Sequence, residues 1–244
     1  VVLNNEVWGM SIHGQQIMFG ENYSLISKIA GTNYADVARA FGCHSERVTR
    51  YADIAPAMRR AMEGKQKTSA NDPWCIGYFS DNEMSWGDEL SLALGALKSS
   101  AGQPAKQEFV TDLKVKYGDI SKLNVAWGVT NSSWDELLAS RVAPDPKTAR
   151  EDLVTFSTKM AETYFRTVRD AIKAVAPNQL YLGCRFAWVN DLAVRAAAKY
   201  CDVLSYNLYR RDIADFDYPG EEKPFLVGEF HFGALDRGMF HTGL

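Results

Sequence analysis

Read by the spacing of its apolar positions, the chain falls into two differently patterned stretches. From Val1 to about Gly64 the order is strand, loop, helix, short strand, helix. The apolar run Val1 to Leu3 ends at Asn4-Asn5, a strand-to-loop change, and opening inside such a run is what a fragment would show. Gly9, Gly14, Gly20 and Gly31 punctuate a long polar and aromatic loop. Tyr34, Val37, Ala38 and Phe41 then fall at i, i+3, i+4 and i+7. That spacing predicts a helix capped by Thr32 or Asn33 and stopped by Gly42. Arg47-Val48-Thr49 reads as a short strand, and Asp53 opens a helix through Met62.

Lys65 to Asn71 is polar and aperiodic, a linker between residues 1–64 and 72–244. Beyond it, Trp74 to Ser80 reads as a buried strand and Glu89 to Leu97 as a helix. Pro104 starts another helix, with Phe109, Val110, Leu113 and Tyr117 on its apolar side. The clearest helix runs from Arg150 to Ala176. Its apolar positions Leu153, Phe156, Met160, Tyr164, Val168, Ile172 and Val175 make one core-facing stripe. Short strands follow at Leu180 to Cys184, Asp202 to Tyr206 and Phe225 to Gly228, with a helical pattern from Leu192 to Lys199 between the first two.

Strands alternating with helices predict an α/β fold with a parallel sheet. In such folds the chemistry sits just past the carboxyl ends of the strands, whether the sheet is open or closed into a barrel. The residues at those places are Asp81-Asn82-Glu83, Arg185 to Trp188, Asn207 to Tyr209, and Glu229 to Phe232.

Composition narrows the classes. Of 244 residues, 46% are hydrophobic and 23% charged, which is an ordinary globular balance. Lys and Arg number 27 against 30 Asp and Glu, a net charge of -3, so nothing in the balance asks for nucleic acid. No apolar run approaches the roughly 20 residues of a membrane-spanning helix. Cys43, Cys75, Cys184 and Cys201 form no C-x-x-C pair and read as buried or free thiols. No initiator Met or signal-peptide pattern stands at the front, so the compartment is open.

Two strand-end glutamates carry the candidate chemistry. Glu83 stands beside Asn82 and Trp86, and Glu229 beside Phe230, His231 and Phe232. A glycosidase needs two carboxyls facing each other across a sugar, one giving a proton to the leaving group and one attacking or activating water. Each could equally be a partly buried ion-pair residue near Arg185 or Arg237. Trp86 and Trp188 can be stacking platforms or core. His231 can bond a sugar or serve the structure. Trp127 and Trp134 lie away from strand ends and read as packing residues.

The motifs G-Y-F-S-D-N-E-M-S-W-G-D and L-V-G-E-F-H-F-G-A-L-D-R-G-M-F-H-T-G-L resemble the β-agarases of glycoside hydrolase family 50. I-S-K-L-N-V-A-W-G and L-Y-L-G-C-R-F-A-W, between them, fit the same family. The resemblance runs from about Asp72 to Leu244. It implies a retaining (β/α)8 barrel, here partial and covering the region of strands 4 to 7, that acts on agarose or other galactan chains without a cofactor. By resemblance Glu83 is the acid/base, after an Asn-Glu pair, and Glu229 the nucleophile. Asn82 would bond near the sugar 2-OH, and Tyr206, Asn207 or Tyr209 would contact the nucleophile or the sugar. Burial against Trp86 and Phe79 would keep Glu83 protonated, and Arg185 would keep Glu229 ionised. An extracellular or periplasmic location follows from the same resemblance.

The front resembles something else. V-V-L-N-N-E-V-W-G-M, H-G-Q-Q, T-N-Y-A-D-V-A-R-A-F-G-C and D-I-A-P-A-M-R-R-A-M are similar to the cofactor-binding domain of thiamine-diphosphate enzymes of the acetolactate synthase type. That implies a βαβα piece of a doubly wound sheet, with Asn5 and the Val7 carbonyl as ligands of the Mg²⁺ that holds the diphosphate. The Gly-Asp-Gly that opens this motif does not stand ahead of Asn4, so the site is incomplete, and Asn4-Asn5 reads better as a turn. The two families share neither fold nor chemistry, which points to a chimeric chain. Three functions stand: a retaining β-agarase, a thiamine-diphosphate lyase or carboligase fragment, and a chain without activity. An incomplete barrel would also leave strand edges open to self-association.

Overall fold

The chain divides into two compact units, Val1–Asp72 and Pro73–Leu244. The computed structural model describes residues 17, 19–20, 31–65, 69–70, 72–210, 212–220 and 222–230.

In the first unit the predicted helix forms as α1 (Tyr34–Ala40), and Asn33 caps it by accepting the Ala35 amide at 3.2 Å. A 3-10 turn at Tyr51–Asp53 leads into α2 (Ile54–Lys65). Arg60 lays Nε and one terminal nitrogen on the Glu46 carboxylate at 2.9 and 2.6 Å, tying α2 to the segment before it. That contact holds the Glu46 carboxyl down at about 2. The strand expected at Arg47-Val48-Thr49 is not formed. No other strand lies among the described residues of this unit, and a lone strand leaves its backbone groups unpaired. The described part is therefore helical rather than βαβα, and the strand expected at Val1 to Leu3 lies outside the described residues.

The second unit is α/β, as its pattern predicts. Its elements are β1 (Gly77–Tyr78), α3 (Ser91–Lys98), α4 (Pro104–Tyr117), α5 (Ile120–Trp127), α6 (Trp134–Ala139), α7 (Arg150–Val175), β2 (Leu180–Tyr181), α8 (Asp191–Tyr200), β3 (Leu204–Asn207) and β4 (Phe225–Glu229). β1 pairs with β2 and β3 with β4, both parallel. Phe186 bridges to Tyr206 in the same sense, so four parallel segments lie side by side in chain order. The β1–β2 approach is close: a Cβ on Gly77 would stand 2.3 Å from the Leu180 carbonyl oxygen. The strands are shorter than the apolar runs that announced them. Beyond the regular pairs, single bonds continue the ladder, from the Ser80 amide to the Gly183 carbonyl at 2.9 Å and from the Glu83 amide to the Arg185 carbonyl at 3.1 Å.

Helix α7 organises this unit. Leu153, Phe156 and Ile172 of its stripe are buried, and so is Phe165, which the stripe does not include. Four alanines of α8 (Ala193, Ala196, Ala197 and Ala198) are buried with Val194, and their small size lets α7 and α8 pack closely. On the other side α7 closes a helical core in which Phe109 lies flat on Phe156, centroids 4.1 Å apart, with Leu113, Leu123 and Trp127 around them. Asp152 is buried in this core. It accepts from Lys116 Nζ at 2.7 Å, Tyr117 Oη at 2.8 Å and Trp127 Nε1 at 2.8 Å, so the carboxylate is satisfied where water does not reach. Between β3 and β4 the described chain has no helix. Phe216, Tyr218 and Phe225 pack instead on Tyr206, with centroids 5.0 to 5.9 Å from its ring. All four cysteines are free thiols.

Candidate active site

Because the segments run parallel in chain order, their carboxyl ends share one edge of the unit. Glu83 follows β1, Arg185 follows β2, Asn207 and Tyr209 end and follow β3, and Glu229 ends β4. Asn207 stands at the centre. Its Nδ2 donates to Glu83 Oε1 at 2.8 Å, Asn82 Oδ1 at 3.1 Å and Glu229 Oε2 at 3.3 Å. One amide nitrogen thus touches both glutamates that the sequence singled out.

The two carboxylates are held differently. Glu229 receives Asn207, a terminal nitrogen of Arg185, and the Tyr209 hydroxyl, three donors on its two oxygens. The carboxylate beside Tyr209 pushes that phenol up to about 12, since ionising it would set two anions together. Arg185 is itself fixed: Nε donates to Asn207 Oδ1 at 3.2 Å, and its backbone amide donates to Ser205 Oγ at 3.0 Å. The guanidinium lies 5.7 Å from the centroid of Phe79. A Cβ on Gly228 would stand 3.0 Å from Arg185 Cγ and Nε, so this glycine leaves the arginine its path to Glu229. Among the described residues Glu83 receives only the Asn207 amide at its carboxylate.

The backbone at this edge is unusual. Asp81, Glu83 and Arg185 have φ of 66°, 52° and 50°, a left-handed region that side chains other than Gly rarely enter. Such conformations gather where surrounding contacts over-determine the chain, often at functional sites.

Not every expected site residue is here. Trp86 is 5% exposed, with its ring stacked on Phe165 at 5.2 Å and edge-on to Tyr164, so it packs the core and offers no open face to a sugar. Tyr206 is 4% exposed in the aromatic cluster and does not touch Glu229. Strand alternation explains this, since Ser205 and Asn207 face the carboxylates and the residue between them faces away. Trp188 is 59% exposed, an open ring three residues after Arg185 in sequence. Asn82 is exposed and bonded to Asn207. His231 and Asn5 lie outside the described residues. Sequence reasoning missed Ser205, which positions Arg185, and the Tyr164 hydroxyl, which donates to Asp81. The first signal was the same alternation that places Asn207. The second had no sequence signal beyond a polar tip on an apolar stripe.

Among the described residues no three His, Cys, Asp or Glu side chains converge on a metal position.

Comparison with known proteins separates the chain in the same way. Residues 1–70 match the family described as thiamine pyrophosphate enzyme, C-terminal TPP binding domain. Over 63 residues the chain is 39% identical to a probable acetolactate synthase of Mycobacterium bovis, covering 25% of this chain and 11% of that protein. Over 202 residues it is 41% identical to β-agarase B of Vibrio sp. strain JT0107, covering 76% of this chain and 21% of that enzyme. The crystal structure of an agarase superposes with a TM-score of 0.69 at 38% identity, over 78% of this chain and 29% of the other. The chain therefore spans about a fifth of the length of the agarase it matches. It joins two unrelated stretches, a front that resembles the cofactor-binding domain of thiamine-diphosphate enzymes and a longer remainder that resembles the family 50 β-agarases.

Proposed function

We propose that residues 72–244 are part of a retaining glycoside hydrolase of (β/α)8-barrel type that cleaves β-galactosidic bonds in agarose, with Glu83 as acid/base and Glu229 as nucleophile. Residues 65–71 are read as the junction and 1–64 as the foreign fragment. The observation that carries the reading is the shared Asn207 amide. Its two bonds put the nearest oxygens of Glu83 and Glu229 within about 6 Å of each other, which suits the roughly 5–5.5 Å carboxyl separation of retaining enzymes better than the wider gap of inverting ones.

The donors fit the roles. Arg185, Tyr209 and Asn207 orient Glu229 as an acceptor-only carboxylate, the form that can attack an anomeric carbon. Glu83, bonded by one neutral amide, gives its proton to the glycosidic oxygen as that bond breaks. Water then hands a proton back to Glu83 and displaces the Glu229 ester, restoring both groups. In this reading Asn82, bonded to Asn207, bonds the sugar, the exposed ring of Trp188 stacks on it, and His231 belongs to the same proposed set. The substrate class implies an extracellular or periplasmic enzyme. The described residues include no helix long and apolar enough to cross a membrane.

A reducing-sugar assay on agarose, run with wild type, Glu83→Gln and Glu229→Gln, tests this directly. Wild-type activity lost in both variants is the expected result. Activity that survives Glu229→Gln overturns the nucleophile, and an inactive wild type leaves the chain without the proposed activity. The match at the front motivates one control. Titration with thiamine diphosphate and Mg²⁺, followed by tryptophan fluorescence, is expected to give no saturable change.

A further inference from the structure

We propose that Tyr164 is a positioning residue for Glu83: its hydroxyl, carried on α7, holds Asp81 and so fixes the turn from which Glu83 reaches Asn207. The inference rests on the reading of Glu83 as a working carboxyl, but its geometry stands apart from that reading. The segment from Asp81 to Asp88 leaves β1 with two left-handed residues, Asp81 and Glu83, within three positions. Aspartate enters that region on its own account but glutamate rarely does, so local preference does not choose this path at Glu83, and something outside the segment must.

Besides the bonds that Asn82 and Glu83 themselves make, outside contacts grip the segment at its two ends. At the start, the Tyr164 hydroxyl donates to the Asp81 carboxylate. At the far end, Trp86 stacks on Phe165, the next residue of α7, and stands edge-on to the Tyr164 ring at 5.4 Å. Asn190 completes that end. Its Nδ2 lies 3.3, 3.2 and 3.3 Å from the carbonyl oxygens of Trp86, Gly87 and Asp88, while its Oδ1 caps α8 by accepting the Ala193 amide. Glu83 is suspended between these anchors, with its own amide on the Arg185 carbonyl at 3.1 Å. A tyrosine needed only for packing would be served by phenylalanine. Here the hydroxyl reaches the one carboxylate that begins the turn. That carboxylate is half-buried and its pKa is raised by burial, so water is a poor substitute for the phenol.

Hydrogen exchange of the Glu83 amide in the full chain, read by NMR, tests the clamp without any substrate. Tyr164→Phe keeps the ring against Trp86 and is expected to speed that amide by about tenfold, the worth of one hydrogen bond to a charged group. Amides in the middle of α7 should keep their wild-type rates. Asp81→Ala removes the same bond from the other side and adds the strain of alanine at a φ of 66°, so it should speed the amide at least as much. Asp81→Asn keeps an acceptor and tolerates the left-handed region, so its rate should fall between those of Asp81→Ala and wild type. An unchanged Glu83 amide in Tyr164→Phe overturns the proposal, and so does equal acceleration throughout the unit. On agarose, Tyr164→Phe should lower kcat and leave KM unchanged. An inactive wild type counts against the proposed function alone, and exchange at Glu83 still decides this one.

Discussion

At the scale of single residues, Tyr209 offers the sharpest view of the site's electrostatics. Its phenol ordinarily ionises near 10 and is pushed up to about 12 by its bond to Glu229. A raised value means that the folded chain holds the proton more tightly than the unfolded one. The contribution is fully present below 10 and is lost as pH rises through about 12. Alkaline titration of phenolate absorbance should therefore lose a one-group step near 12 in Tyr209→Phe. If that variant leaves the titration curve unchanged, the hydroxyl is not on the carboxylate.

At the scale of elements, the helical core depends on an acid that no apolar pattern announces. Asp152 ties α7 to Lys116 and Tyr117 at the end of α4 and to Trp127 at the end of α5. Asp152→Ala would strand two aromatic donors facing the core, the Tyr117 hydroxyl and the Trp127 indole N–H, while Lys116 keeps Glu151 at 2.7 Å. Removing one partner of a buried charge pair costs about 3–5 kcal/mol. Because Lys116 is 42% exposed and can turn to water, the lower end, about 3 kcal/mol, is expected in urea unfolding. Asp152→Asn keeps one acceptor and should lose less. An effect below about 1 kcal/mol would mean that the clasp is solvated.

The same helix marks what the sequence discloses. Its span was legible almost to the residue, from Arg150 to Ala176 against Arg150–Val175, because seven apolar side chains repeat at helical spacing over more than six turns. The acidic Asp152 and the off-stripe Phe165 were not legible, since each is defined by a partner far away in sequence. The two glutamates stood out because strand ends are where parallel sheets keep their chemistry. Trp86 stood out beside Glu83, and Tyr206 through the family resemblance, yet both proved to be core, because neither signal says which face a ring takes. The short strand at 47–49 is not formed, and among the described residues no strand stands beside it, a neighbour that local propensity cannot supply.

At the scale of the molecule, burial is uneven. Among the described residues of the first unit only Ala57 and Ala70 are buried, whereas the second carries the core. The sheet of the second unit is also open: among the described residues β1 and β4 each pair on one side only. Unpaired edges are templates for further strands, although the two residues of β1 blunt one of them. Sedimentation velocity over rising concentration should show reversible self-association, and a monomer at every concentration would mean that both edges are covered. One further detail reaches beyond stability. The β3–β4 register slips after Tyr206, so that Asn207 stands opposite Glu229 and Gly228 is skipped. Side chains alternate along a strand like even and odd numbers. Counted without the slip, Gly228 would share a side with Asn207, and Glu229 would turn its back on Arg185. The spare residue flips that parity, and it is a glycine, the one residue that adds nothing to the face on which Arg185 lies. The meeting of the two acids is therefore set by a count as much as by chemistry, and one residue more or fewer in this strand would undo it with every side chain still present.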